Sequence, residues 1–213
     1  ASIMPATLSA ISNGARHGIL FKGGVHLENL SHLRAIAFDK TGTLTKGKPE
    51  VTEVMINEKL SKEELFWKVA SIENQSNHPL AQSIVKYTKA FFEEELVQPT
   101  SIEDVSGWGV KAVIDKEEWK IGKAAYVGIE KTEIFAGERA QELALEGNTI
   151  VYVQINGDIA AMFALKDHVR DETKLAIGHL RSLGIHTVML TGDSEKTAKA
   201  IAGQSHVDHY FAE

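Results

Sequence analysis

An aspartate at the end of a short apolar segment is the residue with the clearest potential for covalent chemistry. Residues 33–38 have the composition of a buried strand, and Asp39 follows them directly. Lys40 and Thr41 open a polar, glycine-containing turn, which can aim backbone N–H groups and hydroxyls at phosphate oxygens. The pattern favours a nucleophile that accepts a phosphoryl group, with Mg²⁺ offsetting the repulsion between carboxylate and phosphate.

A second strand pattern lies far downstream and also ends in a turn. Residues 185–190 are apolar and partly β-branched, and the turn after them consists of Thr191, Gly192 and Asp193. Helical spacing over 172–183 and 194–204 flanks this strand. Helix, strand, turn and helix in this order predict an α/β unit with parallel strands, in which ligands bind at the carboxyl ends of the strands.

A block of different character separates these two units. Helical patterns come first in it, and strand patterns follow, with a hairpin turn at Asn156 and Gly157. Ser61 and Glu64 fit a capping box at the start of the first of these helices. We therefore expect an α+β domain over 51–160 that is inserted into a discontinuous α/β domain.

The composition restricts the class of protein. The chain has 213 residues, with 23 Lys and Arg against 29 Asp and Glu, which gives a net charge of −6. This balance argues against a nucleic-acid partner, because general polyanion binders are basic. The absence of cysteine excludes disulfides and thiolate metal sites. No window of about 18 apolar residues predicts a membrane helix.

The segment around Asp39 resembles a known family. Residues 39–45 read Asp-Lys-Thr-Gly-Thr-Leu-Thr, which resembles the phosphorylation motif of the P-type ATPases. The resemblance implies a haloacid dehalogenase-like α/β phosphorylation domain, here 33–50 and 161–213, with an inserted nucleotide-binding domain made of an antiparallel sheet flanked by helices.

The resemblance also implies the chemistry at this motif. Asp39 takes the γ-phosphoryl group of ATP as an aspartyl phosphate, and Mg²⁺ is bound by Asp39 and a backbone carbonyl near Thr41. The implied catalytic residues around the phosphoryl group are Lys40, Thr41, Thr191, Gly192 and Asp193. Related phosphatases carry a second aspartate as general acid and base at the position of Thr41, and threonine cannot do that work.

A second motif resembles the heavy-metal-transporting subgroup of P-type ATPases. Glu73 is followed by Ser76, Asn77, His78 and Pro79, which matches the Glu…Ser-x-His-Pro signature of that subgroup. Glu73 and His78 are then expected to hold the adenine of ATP. The resemblance also implies that five further residues belong to the nucleotide site, with Asp167 on the side of the hinge between the two domains. These residues are Gly107, Gly109, Gly147, Asn148 and Asp167.

Further implications concern the protein of which this chain would be a part. Residues 1–32 resemble a membrane-proximal connecting segment, which places the chain at the cytoplasmic face of the cell membrane. The implied partners are ATP, transmembrane and actuator domains of the same polypeptide, and a heavy-metal ion bound in membrane helices. The opening residues favour zinc, cadmium, cobalt or iron over copper. Because the family's phosphate-contacting lysine and its Mg²⁺-binding loop are missing, we expect weak ATP binding and little autophosphorylation.

Two other functions stay open from the sequence. One is a soluble haloacid dehalogenase-like phosphatase with a cap domain, which Thr41 disfavours. The other is a nucleotide-binding module without catalysis. A metal site at His206, Asp208 and His209 is a weaker alternative, because two histidines and one acid make a poor signal.

Overall fold

A computed structural model describes residues 3–57, 61–128 and 137–212. The helices are, in chain order, α1 (Ile3–Arg16), α2 (Gly24–Leu30), α3 (Lys62–Glu73), α4 (Pro79–Thr88), α5 (Gly137–Leu145), α6 (Asp171–Ser182) and α7 (Glu195–Ser205). The strands are, in chain order, β1 (Ala35–Asp39), β2 (Glu50–Ile56), β3 (Ser101–Val105), β4 (Gly109–Ile114), β5 (Glu117–Gly122), β6 (Thr149–Ile155), β7 (Asp158–Lys166), β8 (His186–Leu190) and β9 (His209–Phe211).

The smaller sheet contains β1, β8 and β9 in that order, and its strands are parallel. Asp39 pairs with Leu190, so the turns after β1 and β8 leave the same edge of the sheet. The core of this unit joins the turn after β1 to both helices, through Leu44, Ile177, Met189 and Ile201. We call this sheet, with α6, α7 and the turn Lys40–Leu44, the small lobe. Its parallel α/β organisation is the one that the sequence predicts.

The larger sheet has six strands in the order β2-β7-β6-β5-β4-β3, and every neighbouring pair is antiparallel. Helices cover both faces. Phe163 belongs to the cluster with Phe66 of α3 and Ile84 of α4, whereas Met162 belongs to the cluster with Leu143 of α5. Successive side chains of a strand point to opposite faces, which explains the unbroken apolar run in β7. We call this sheet, with α3, α4 and α5, the large lobe.

The two lobes meet where β2 and β7 run side by side. Glu50 pairs with Lys166 at the end of both strands nearest the small lobe. The insert was predicted to end at residue 160, but β7 continues to Lys166 in the larger sheet. The extra length follows from the apolar segment 160–165, which is buried between β2 and β6.

Some helix ends differ from the sequence prediction. Ser61 occupies the N-cap position of α3, but its side chain makes no capping hydrogen bond. Glu64 pairs instead with Lys68, at 3.0 Å, so the predicted capping box is wrong. In the second helical pattern of the inserted domain, α4 begins at Pro79 and ends at Thr88, where a short 3₁₀ turn follows.

The buried side of α6 is not the leucine side. Its leucine spacing predicts the helix correctly, but Leu175 is 72% exposed, and Leu183 just after the helix is 73% exposed. Thr173 and Ile177 are the buried residues of α6.

Among the helices of residues 3–57, 61–128 and 137–212, none combines the length and apolar character that a bilayer span requires.

Candidate active site

A cavity of about 400 Å³ lies between the two lobes. The small lobe and strand β7 contribute residues that directly follow β1, β7 and β8: Lys40, Thr41, Asp167, Thr191, Gly192 and Asp193. The large lobe contributes the ends of α3 and β5, the start of α4 and the β3–β4 turn, including Glu73, His78, Gly107, Gly109, Gly122 and Lys123. One cavity therefore brings together predicted residues that lie up to 153 positions apart in the sequence, as the contact between Lys40 and Asp193 shows.

Asp39 stands at the carboxyl end of β1 and is exposed. It is not among the residues that line the cavity, although Lys40 and Thr41, the next two residues, are. Within the described ranges, no hydrogen bond occupies its carboxylate. The carboxylate is thus exposed and has no hydrogen-bond partner in the described part of the chain.

The turn after Asp39 is held in place by several hydrogen bonds. Gly42 has a φ of 76°, a left-handed conformation that glycine adopts without strain. The Lys40 carbonyl accepts hydrogen bonds from Thr45 N at 3.1 Å and from Thr45 Oγ1 at 3.0 Å. Arg170 donates to the carbonyls of Gly42 and Thr45, both at 2.9 Å. These contacts fix the direction in which the chain leaves β1.

Asp193 is the centre of a partly buried polar cluster. Its Oδ2 atom forms an ion pair with Lys40 Nζ and accepts a hydrogen bond from Thr191 Oγ1 at 3.1 Å. Its Oδ1 atom accepts from Thr149 Oγ1 at 2.9 Å. Lys40 is only 7% exposed, so it needs a charged partner of this kind. The cluster places one cation and the Thr191 hydroxyl on the small-lobe side of the cavity, and the Thr149 hydroxyl reaches it from β6.

Asp167 fastens the hinge between the lobes. Its Oδ2 atom accepts from Thr45 Oγ1 at 2.6 Å and from Gly47 N at 3.2 Å, and its Oδ1 atom accepts from Lys48 N at 3.3 Å. These bonds tie the segment that leaves the small lobe to the segment that returns to it. Asp167 lines the cavity, but both of its carboxylate oxygens already accept hydrogen bonds from the protein.

Glu73 and His78 occupy the large-lobe side of the cavity. Burial at the end of α3 raises the pKa of Glu73 to about 8, and the negative charge of Asp104 contributes to the rise. Glu73 is therefore mostly protonated near neutral pH and can donate a hydrogen bond as well as accept one. His78 is the N-cap of α4, where its Nδ1 accepts from Leu80 N at 3.3 Å.

Two glycines of the cavity face each other across neighbouring strands. Gly109 of β4 pairs with Gly122 of β5, and a Cβ atom on Gly122 would lie 2.3 Å from the carbonyl oxygen of Trp108. Lys123 follows Gly122, and its Nζ atom lies 5.6 Å from the centroid of the Trp108 ring. The sequence reasoning missed Gly122 and Lys123, since only the pairing of β4 with β5 brings them beside the Gly-x-Gly turn.

Gly147 and Asn148 are not among the residues that line the cavity. The Asn148 side chain is buried, donates to the Leu143 carbonyl at 2.9 Å and accepts from Thr52 Oγ1 at 2.8 Å. Its hydrogen-bonding groups therefore cap the end of α5 and contact β2. The next residue, Thr149, reaches the cavity instead.

The metal-binding capacity of the described chain is limited. Across residues 3–57, 61–128 and 137–212, no group of three or more His, Asp or Glu side chains is arranged to hold a metal ion. Asp39 and the backbone carbonyl of Thr41 offer oxygen atoms, which suit Mg²⁺. Magnesium commonly takes its other ligands from water and from substrate phosphates, so two protein ligands fit a site that is shared with a nucleotide.

Comparison with known proteins identifies the family. The model of the haloacid dehalogenase-like hydrolases matches residues 33–213. The zinc-transporting ATPase of Bacillus subtilis is 47% identical over the whole chain, and a copper-exporting P-type ATPase of Staphylococcus haemolyticus is 38% identical over 99% of it. The chain spans 33% and 25% of the lengths of these two curated relatives.

Solved structures agree with this match. A zinc-transporting PIB-type ATPase in its E2.Pi state aligns over 97% of this chain and 33% of that one, with a TM-score of 0.61 and 38% identity. A CPx-ATPase catalytic domain, studied for its conformational changes on nucleotide binding, aligns over 95% of this chain and 69% of that one, with a TM-score of 0.73 and 25% identity. The predicted fold class, with its inserted antiparallel sheet, is confirmed. The chain belongs to the haloacid dehalogenase-like hydrolases, and it is similar to the catalytic part of metal-transporting P-type ATPases.

Proposed function

We propose that this chain binds ATP together with Mg²⁺ in the cavity between the lobes and that Asp39 accepts the γ-phosphoryl group. The observation that carries the proposal is a single cavity lined by polar residues of both lobes. In the transfer step, an Asp39 carboxylate oxygen forms a bond to the γ-phosphorus, the bond from phosphorus to the β–γ bridging oxygen breaks, and ADP leaves with that oxygen.

The charged and polar groups of the cavity indicate how a bound nucleotide would be oriented between the two lobes. Lys40 and Thr191 supply a cation and a hydroxyl on the small-lobe side, where charge-assisted hydrogen bonds favour phosphate oxygens. Glu73 and His78 supply a buried carboxyl group and a ring on the large-lobe side. A protonated carboxyl group both donates and accepts, which matches the donor and acceptor edge of a base. The base would therefore lie against the large lobe, and the phosphates would point to Asp39.

Mg²⁺ would be held between the chain and the phosphates. The Asp39 carboxylate and the Thr41 carbonyl are the protein oxygens that would hold it, and the ion neutralises charge as the phosphoryl group moves. The Thr41 carbonyl belongs to the turn Lys40–Leu44, whose backbone is held by the hydrogen bonds from Arg170 to the carbonyls of Gly42 and Thr45.

The activity of a complete protein follows as part of the same proposal. The relatives are named as transporters of zinc, copper or cadmium, and the one with 47% identity is named for zinc. We propose that the phosphorylation of Asp39 drives export of such a metal ion through a membrane part of the same polypeptide. This chain would then work at the cytoplasmic face of that membrane.

A substitution at His78 tests nucleotide binding. Replacing His78 with alanine should weaken ATP binding about tenfold, because the base loses a ring and a hydrogen-bonding group in the cavity. Isothermal titration of the chain with ATP measures the change. His78→Asn keeps a side chain that can cap α4 and should bind ATP as weakly as the alanine variant.

A matched control separates this effect from a general loss of histidine. His179 is exposed on α6, outside the cavity, so His179→Ala should leave the ATP dissociation constant unchanged. Equal ATP affinities for wild type, His78→Ala and His78→Asn would show that the nucleotide does not bind at this cavity.

A further inference from the structure

The lobes are joined by a hydrogen bond that no motif predicted. Thr149 begins β6 in the large lobe, and its hydroxyl donates to Oδ1 of Asp193 in the small lobe at 2.9 Å. The other carboxylate oxygen of Asp193 is taken by Lys40 and Thr191. A single carboxylate therefore connects the ends of β1 and β8 to the first residue of β6.

The main chain around Thr149 is docked on α7. The carbonyl of Asn148 accepts from Thr197 Oγ1 at 2.8 Å, in a buried position. Gly147 has a φ of 91°, and a Cβ atom there would lie 3.2 Å from Cδ1 of Ile201. The corner between α5 and β6 is thus shaped to approach the small lobe closely, which brings the Thr149 hydroxyl to Asp193.

We propose that Thr149 is a positioning residue that holds the large lobe closed over the small lobe through Asp193. A hydrogen bond to a charged acceptor is about twice as strong as one between neutral groups, so this contact favours the closed arrangement. Lys40 and Thr191 are donors that a phosphate oxygen would also attract. When a phosphate oxygen also binds Lys40 and Thr191, the hydrogen bond from Thr149 still holds the Asp193 carboxylate in place. This consequence rests on the proposed function.

The fold itself does not require the Thr149 hydroxyl. Thr149 takes its place in the sheet through its backbone, which pairs with Leu165 of β7. Valine has nearly the same shape and a higher preference for strands, so Thr149→Val removes the hydroxyl and leaves the sheet intact. Serine keeps the hydroxyl and loses only a methyl group. These two variants separate the hydrogen bond from the packing of the side chain.

A distance measurement between the lobes tests the proposal directly. Because the chain contains no cysteine, Glu63→Cys on α3 and Lys174→Cys on α6 give two unique sites for spin labels, and both residues are exposed. Pulsed electron paramagnetic resonance then reports the distance between the lobes without nucleotide. We expect one narrow distance for the labelled parent. Thr149→Val should shift the ratio of open to closed chains about five- to tenfold towards open.

Rescue by serine decides between positioning and packing. Thr149→Ser should restore the narrow distance, and Thr149→Ala should give the same distance distribution as Thr149→Val. If the Thr149→Val chain does not fold, the Thr149→Ala chain replaces it in the comparison. Distance distributions that are identical in parent, valine and alanine chains would overturn the proposal, as would a serine chain that is as open as the alanine chain. Since no ATP is present, the result is independent of whether His78 contributes to nucleotide binding.

Discussion

A Gly122→Ala chain should lose about 3 kcal/mol or more of unfolding free energy and with it the shape of the cavity. The added Cβ atom would lie 2.3 Å from the carbonyl oxygen of Trp108 and 2.9 Å from the Cα atom of Gly109. Both are backbone atoms of the neighbouring segment, so no side-chain rotation relieves the overlap. The strands β4 and β5 must separate at their cavity ends, where Gly107, Gly109 and Lys123 are held.

Urea unfolding followed by tryptophan fluorescence measures this loss, since all three tryptophans lie in the large lobe. Gly178→Ala is the matched control. Gly178 lies inside α6, and its added Cβ atom would meet no atom within 4 Å. Alanine is the better helix former, so this variant should gain roughly 0.5–1 kcal/mol, read by circular dichroism. Equal unfolding free energies for the two variants would contradict the close approach of β4 and β5.

Glu73→Gln should stabilise the chain strongly at pH 8 and leave it unchanged below about pH 4.5. The pKa of Glu73 is about 8 in the folded chain, against an ordinary value of 4.5, mainly because the carboxyl group is buried and also because Asp104 lies near. Between these two values the unfolded chain releases the proton and the folded chain keeps it. The wild-type free energy of unfolding therefore falls as the pH rises through this window, and the loss is complete above pH 8.

Glutamine has the same shape and does not titrate, so the advantage of Glu73→Gln should grow across the window to several kcal/mol. Thermal unfolding of both chains at intervals from pH 4 to pH 9 measures it. Glu63→Gln, on the exposed first turn of the same helix, controls for the loss of one carboxylate. A Glu73→Gln effect that is the same at every pH would show that the carboxyl group is not held protonated in the cavity.

Local patterns were sufficient for the elements that present the small-lobe residues. The short apolar runs before Asp39 and Thr191 predicted β1 and β8, and alternation with helices predicted that they are parallel. Strand β2 was missed because its charged and polar residues, such as Glu50 and Glu53, hide the apolar alternation. Its place is set by pairing with β7, more than 100 residues away in the sequence.

The cavity lining was harder to predict than the strands. Gly122 and Lys123 are near Gly109 only because β4 and β5 pair in one particular register. A sequence motif carries no information about that register. Gly147 and Asn148 were expected at the nucleotide site from the order of motifs along the chain. In the structure, the Asn148 side chain contacts α5 and β2 instead. The order of motifs along the chain could not show this, because it does not determine which side of a turn faces a ligand.

A comparison of ATP with ADP binding tests whether the γ-phosphate of a bound ATP lies next to the Asp39 carboxylate. In the absence of Mg²⁺, which also prevents turnover, Asp39→Asn removes a negative charge that repels the γ-phosphate. We expect ATP to bind at least about fivefold more tightly to the variant than to the wild type, and ADP to bind equally well to both. Equal changes for ATP and ADP, or no change for either, would contradict the account.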